Sequence, residues 1–501
     1  MVQQTPAPKP ATEGHASTVG GLEVRSINYV PLAERHGKVW HLWPIWFTGD
    51  AHLATIAVGV LGISLGSNLI WTAIAIVAGG AFGTFFMAFH STQGPQLGLP
   101  QMIQSRPQFG YVGALLVFVV ALISYVGFNA FNQVLAGDVA HETLNINPHY
   151  IFIPFGVLAA LLALVGYDLI HKAQRYLAYL LLAALTIFTI GIIVLHPFTA
   201  ADFDLGNFNR NAFLVQFFAA ATYQLSWAIY VSDYSRYLPP TVGVRASFWW
   251  TFLGAWIGGF WMMLVGTVAA SMFNLDNVVL SVIQAGDAIF GGFGTILIVL
   301  AFLGLLTITG LNFYGASLTL LSAYDSIKPL KATLNTRIVA LVVVAVAATT
   351  IAYLASGDFL TAFGNFIHFL GLLFAPWTAI NLIDFYYVRK THYSIRAIFE
   401  PHGGIYGRWN WRGLLAYGLG FLSMIPFTAS ASYEGPVAKA LGGADISMII
   451  GLLVGGGVYL LAYRSFDLEA ERLAVDKADV GLDPDAPNGI PYAAVPHGTR
   501  K

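Results

Sequence analysis

Residues 43–62 read WPIWFTGDAHLATIAVGVLG, an apolar run long enough to cross a bilayer except that Gly49, Asp50 and His52 stand in its first half. At 1.5 Å per residue Asp50 falls roughly 12 Å into that run, near the middle of a membrane, where a carboxylate costs several kcal/mol unless it is hydrated, paired or protonated. Gly49 eases a break in the helix, and a break exposes backbone groups able to hold an ion or a ligand. The plainer alternative is a span that starts later and is capped by Asp50.

The rest of the chain decides whether hydrocarbon surrounds this stretch. Of 501 residues 57% are hydrophobic and 10% charged, and the mean hydropathy is +0.68, too apolar for a water-soluble globule. Apolar runs of membrane-crossing length recur near 42–65, 68–90, 111–136, 149–169, 174–197, 211–231, 246–272, 289–322, 337–355, 359–384, 412–429 and 446–463. These give about twelve transmembrane helices in an all-α integral membrane protein, since the short alternating runs of a barrel are missing. The run 289–322 exceeds a simple span and calls for a steep tilt or a short extra helix. The net charge of −1 gives no reason to expect nucleic acid, and the lack of cysteine excludes disulfides, thiolate metal sites and cysteine nucleophiles.

An even number of spans puts both termini on one side. If that side is cytoplasmic, every one of the 24 Lys and Arg residues except Arg210 and Lys439 lies inside, the bias that membrane insertion imposes. Asp138, Glu142, Asp202, Asp204 and Asp276 then fall in outer loops. The expected organisation is a cytoplasmic tail over 1–40, a transporter domain over 41–465 and a second cytoplasmic tail over 466–501, in a plasma (inner) membrane. No apolar run of the cleavable-signal kind precedes the first span, which is expected to direct insertion itself. Both polar tails read as loosely ordered extensions.

Polar residues within the spans are concentrated. Span six, AAATYQLSWAIYVSDYSRY (219–237), holds Thr222, Gln224 and Ser226 in its apolar part and closes with Asp233 and Arg236. Spans one and six lie five apart, which suggests inverted repeats over about 41–198 and 211–384, followed by extra helices over 412–463, with a discontinuous helix in each repeat. In span three, ISYVGFNAFNQVLAG (123–137), Phe128 and Asn132 share a helix face, and a ring beside an amide suits a flat heterocycle. In span eight, GLLTITGLNFYGAS (304–317), the hydroxyls of Thr307 and Thr309 either coordinate a hard cation or satisfy their own helix. Asp233 and Arg236 suit an inner gate or a helix-end anchor. The glycine runs GGAFG (79–83) and VGGGV (454–458) read as close-packing faces.

Four stretches then resemble the nucleobase:cation symporter-1 family, and within it the purine-cytosine permeases: GPQLGLPQMIQSRPQFGYVG (94–113), VGYDLIHKAQRY (165–176), WAIYVSDYSRYLP (227–239), and FAPWTAINLIDFYYVRK (374–390) with GRWNWRGLLAY (407–417). The resemblance implies the five-plus-five fold of the sodium-coupled leucine transporter and uptake of a flat nitrogen heterocycle driven by protons or sodium. It also implies that Trp227 stacks on the solute, that Asn132 and Asn312 hold it, and that Thr48 is a small hydroxyl in the broken part of span one. The chain departs from the pattern at Phe128, where the family tends to have tryptophan, at Asp50, where it tends to have an amide, and at Gln174, where an acid is frequent.

The expectation is a proton symporter importing a purine or cytosine-type nucleobase, with no resident cofactor. The solute lies between Trp227 and Phe128, its edge is read by Asn132, Gln224, Asn312 and backbone near Gly49, and Asp50 carries the proton. The alternative is sodium held near Gly49, Thr307 and Thr309, importing hydantoin, allantoin, thiamine or a pyridine compound. A channel would need polar rings along a pore, whereas these residues gather at one depth. A membrane enzyme would need a cluster such as HExxH, which does not occur. Oligomeric state is not written in these patterns.

Overall fold

The computed structural model describes residues 18–19, 22–23, 28–165, 167–195, 197–273, 277–328, 330, 333–355 and 357–483, with the backbone alone for 18–19, 22–23, 165, 167–176 and 178. Lys9, Arg25, Asp276, Lys331, Arg500 and Lys501 lie outside the described residues, as do the side chains of Lys172, Gln174 and Arg175. With no water to take up backbone hydrogen bonds, an apolar chain satisfies them within helices. Apart from a two-residue hairpin, Thr18–Val19 with Leu22–Glu23, and one isolated bridge, the described secondary structure is helical.

The first group comprises α1 (Leu42–Gly49), α2 (Leu53–Val58), α3 (Leu69–Ser91), α4 (Leu115–Leu144), α5 (His149–Val165) and α6 (Tyr167–Leu195). The second comprises α7 (Arg210–Ser226), α8 (Val231–Ser235), α9 (Gly243–Met272), α10 (Val278–Ile289), α11 (Phe293–Asp325), α12 (Leu334–Ala355) and α13 (Phe359–Ile383). After them come α14 (Ile395–Phe399), α15 (Trp411–Met424), α16 (Ser447–Tyr463) and α17 (Leu468–Ala478). Among the described residues seven helices are long and apolar enough to cross a membrane, and the pair Val39–Gly49 with Leu53–Ser64 qualifies together, bent by 66°. The long run at 289–322 resolves into the 33-residue α11, with the short helix α10 ahead of it rather than inside it; Gly292, at φ +83°, makes the turn between them. At about 50 Å, α11 outreaches the hydrocarbon core and must tilt or project.

The packing has the symmetry of two repeats. Helix α1 packs on α9 as α7 packs on α3, and α12 on α4 as α5 on α11. Glycines permit close approach in the α3–α7 and α9–α1 pairs. A methyl group on Gly79 or Gly83 of α3 would overlap the carbonyl oxygens of Phe217 and Ala221 on α7, and one on Gly254 or Gly258 of α9 would meet those of Trp43 and Phe47 on α1. Each pair is spaced i, i+4, so one glycine face receives one turn of carbonyls. The glycines at 455 and 456 likewise seat α16 against Pro376 and Ile383 of α13.

The terminal segments correct the expectation of loose extensions. Helix α17 follows α16 at an 85° bend, capped by the Asp467 carboxylate on the Ala470 amide. It buries Glu471, which accepts from Arg389 Nε at 2.6 Å; Arg389 also donates to Asp384 at 2.5 Å. Burial alone would depress the Arg389 pKa, yet Asp384, the phenols of Tyr463 and Tyr459, and Glu471 outweigh it and hold the guanidinium charged. Asp479 accepts from Ser394 Oγ and from the Ile395 and Arg396 amides, closing the N-terminus of α14. Asp483 accepts from the Leu32 amide and the Tyr29 hydroxyl, so the two ends of the described chain meet on one face. There the stretch 28–36 is tied inward, through Val30 to the Gly98 carbonyl and through Arg35 to the Pro95 carbonyl. These polar stretches carry little hydropathy signal because buried hydrogen bonds and ion pairs, rather than apolar area, hold them.

Candidate functional site

Both expected discontinuities are present. Helix α1 stops at Gly49; Asp50 caps it, and His52 is extended (φ −152°, ψ 170°) before α2 begins. Gly49 itself sits in the last helical turn, where an added Cβ would make only an ordinary contact with the Trp46 ring at 4.0 Å, so the break belongs to Asp50–His52 and does not depend on glycine geometry. Helix α7 stops at Ser226, a tight turn runs over Trp227–Ile229, and Tyr230 (φ −142°, ψ 11°) leads into α8.

Asp50 joins the two breaks. Its Oδ1 accepts the Trp227 indole N–H at 3.1 Å and its Oδ2 accepts the Gln224 amide at 3.2 Å. The carboxylate is 1% exposed and packs beside Gly258 and Gly259 of α9, whose missing side chains leave room for it. Beside this pair lies a small cavity lined by His52, Phe128, Asn132, Tyr223, Trp227 and Asn312, with Ser226, Tyr230 and Ile308 completing it. Phe128 presents its ring edge-on to Tyr223 at 5.8 Å. Asn132 donates to Thr309 Oγ1 at 3.0 Å, and its carbonyl oxygen is buried with no partner. His52 stands edge-on to the indole at 6.4 Å, with Nε2 3.4 Å from the Tyr223 hydroxyl, which also pairs with Thr55 at 2.6 Å.

Of the residues singled out in the sequence, Phe128, Asn132, Trp227 and Asn312 therefore line one cavity. Asp50 and Gln224 lie one layer behind, against the indole. Thr48 is not brought to the cavity: its hydroxyl bonds the Pro44 carbonyl of its own helix at 2.7 Å. Thr307 and Thr309 likewise donate to Gly304 and Leu305 one turn back. Asp233 and Arg236 stand apart, lining a wider opening of about 870 Å³ toward the terminal face. Asp233 accepts the Gln101 amide at 2.8 Å, and Arg236 donates to the Asn28 carbonyl at 3.3 Å.

Sequence reasoning passed over Tyr223 and Tyr230, although Tyr223, Trp227 and Tyr230 follow the i, i+4, i+7 spacing of one helix face. The single Gly-x-Ser-x-Gly match, at 62–66, ends a helix, with Ser64 Oγ bonded to the Leu61 carbonyl; it is no strand-to-helix nucleophile elbow.

Comparison with known proteins gives a consistent picture. The profile of the family described as permease for cytosine/purines, uracil, thiamine, allantoin matches residues 29–451. A Bacillus subtilis (strain 168) protein with the provisional name purine-cytosine permease YxlA is 38% identical over 88% of this chain and 96% of its own length. The Emericella nidulans purine-cytosine permease fcyB is 24% identical over 89% of each chain. The fold is that of Mhp1, a nucleobase-cation-symport-1 family transporter solved in a closed conformation with bromovinylhydantoin bound: TM-score 0.68 at 18% identity, covering 90% of this chain and 98% of Mhp1.

Proposed function

From the premise that this chain belongs to the family of permeases for cytosine/purines, uracil, thiamine and allantoin, and so is a multi-pass membrane transporter and not an enzyme, we propose that it imports a small, neutral, flat nitrogen heterocycle of the cytosine or purine kind by proton symport. The observation that carries this reading is the cavity between the two broken helices. Trp227 and Phe128 bring aromatic surface to it, and Asn132 brings a buried carbonyl oxygen with no protein partner. An unpaired acceptor in such a place is costly until a ligand N–H meets it, and aromatic walls select a planar solute.

Asp50 is the proposed proton carrier. Among the described residues it is the carboxylate that touches both breaks, and through Trp227 its protonation reaches the wall of the cavity. The sodium alternative would place the ion between the backbone after Gly49 and the hydroxyls of Thr307 and Thr309, whose lone pairs remain available although their protons are directed to their own helix. With the termini cytoplasmic, as the Lys and Arg distribution favours, the wide opening beside Asp233 and Arg236 faces inward, and the arrangement is an inward-open state.

Uptake of radiolabelled cytosine, hypoxanthine, hydantoin, allantoin and thiamine into proteoliposomes, under imposed proton or sodium gradients, tests this. Cytosine or hypoxanthine should accumulate when the outside is acid, with no sodium requirement. Accumulation that demands sodium and ignores the proton gradient would transfer the reading to the alternative.

A further inference from the structure

The opening beside Asp233 and Arg236 is lined differently from a simple passage. A solute leaving the central cavity passes Tyr230, Ile308 and Asn312, which wall both spaces. With Tyr230, four more tyrosines surround the path: Tyr125 from α4, Tyr234 and Tyr237 from the end of span six, and Tyr314 from α11. Each ring is braced by a neighbour. Tyr125 stacks on Tyr230 at 5.3 Å and 15°, and Tyr234 stands edge-on to Trp46 at 5.3 Å. Arg236 lies 5.1 Å from the Tyr237 centroid and Arg337 4.8 Å from that of Tyr314. Braced rings lose little freedom when something stacks on them. The polar groups are one of each sign, the Asp233 carboxylate and the Arg236 guanidinium, so the space favours neither net charge. Asn312 and the phenol hydroxyls can donate and accept.

We propose that this vestibule is a second, weaker binding site for the same class of neutral flat nitrogen heterocycle, filled while the central cavity holds a molecule of its own. The inference rests on the function proposed for the central cavity and extends it. The vestibule is the wider of the two spaces and its walls are mainly aromatic, so a one- or two-ring solute is held by stacking rather than enclosure. Stacking on an aromatic face tolerates many ring systems, so this site discriminates less than one that reads an edge through Asn132.

The test is equilibrium binding of radiolabelled hypoxanthine to the full chain in lipid nanodiscs. Two molecules per chain are expected, in a tight and a weak phase. Trp227→Ala should remove the tight phase and leave the weak one. Tyr237→Ala and Tyr314→Ala, made separately so that misfolding of one leaves the other, should shift the weak phase about tenfold or more and retain the tight phase. Saturation of wild type at one molecule per chain, or a weak phase untouched by both tyrosine variants, overturns the vestibule site alone. If the tight phase survives Trp227→Ala unchanged, the reading of the central cavity fails instead.

Discussion

Asp50 is held as much as it is placed. Its two oxygens fix an indole and a carboxamide, so replacing it tests two roles that different substitutions separate. In Asp50→Asn, Oδ1 can still accept from Trp227, and Gln224 can turn its amide so that Oε1, which has no partner now, accepts from the new Nδ2. Heterocycle affinity should then change by less than about threefold, while proton-driven accumulation is lost and exchange persists. In Asp50→Ala the indole loses its acceptor, and affinity should fall about tenfold, the worth of one charge-assisted hydrogen bond. Binding isotherms beside gradient-driven uptake separate the two; full accumulation by Asp50→Asn would end the proton-carrier role. Asn132→Leu keeps the bulk and removes the free acceptor, so it should weaken binding of an N–H-bearing solute about tenfold or more and affect an N-methylated analogue far less. In the sequence, polar residues at one depth of a membrane helix, costly without purpose, singled out Asp50, Asn132 and Asn312, helical spacing added Phe128, and the family resemblance alone marked Trp227. The sequence did not make legible which way Asp50 points, since a helix break releases the chain from the 3.6-residue period. Thr48 spends its hydroxyl on the carbonyl four residues back, as a threonine in a helix can.

At the level of elements, the breaks are useful only if their flanking helices cannot slide apart, and two glycine faces supply that. Gly83→Leu or Gly258→Leu should separate α3 from α7 or α9 from α1, abolish heterocycle binding and lower the melting temperature, whereas Gly418→Ala, at a position with nothing within 4 Å, should be silent; a calorimetric or fluorescence melt decides. The glycine run in span two was readable as a packing face, but its partner was not, because spacing shows a face and never the surface opposite. The clasp around Arg389 was invisible for the same reason. Glu471 and Val475 form the buried stripe of a short, otherwise charged helix, and nothing in that stripe names Arg389. Arg389→Leu leaves Asp384 and Glu471 buried without their counter-charge, a loss of about 3–5 kcal/mol. It should lower the melting temperature well below that of Arg396→Leu, whose side chain is exposed and bonds two carbonyls.

The whole molecule is two similar helix groups sharing one cavity, open toward the face where the described ends of the chain meet. The spacing of spans one and six suggests two repeats, and the paired packing of α1 on α9 and α7 on α3 is consistent with them. Less of the exit path was legible, because its tyrosines come from three separate segments that only folding brings together. The chain has no cysteine, so Thr319→Cys places a single thiol on the wall of the vestibule. A membrane-impermeant maleimide should modify it in inside-out vesicles and spare it in right-side-out ones; the reverse pattern would invert the assigned orientation. The most direct measurement of the central claim is the anomalous diffraction of a bromine-substituted hypoxanthine bound to crystals of the full chain. The bromine should lie within about 4–7 Å of the rings of both Trp227 and Phe128, the range of aromatic contact, with α1 interrupted at Asp50. A bromine found only outside the space between those rings, or a helix running unbroken from Leu42 through Val58, would contradict it.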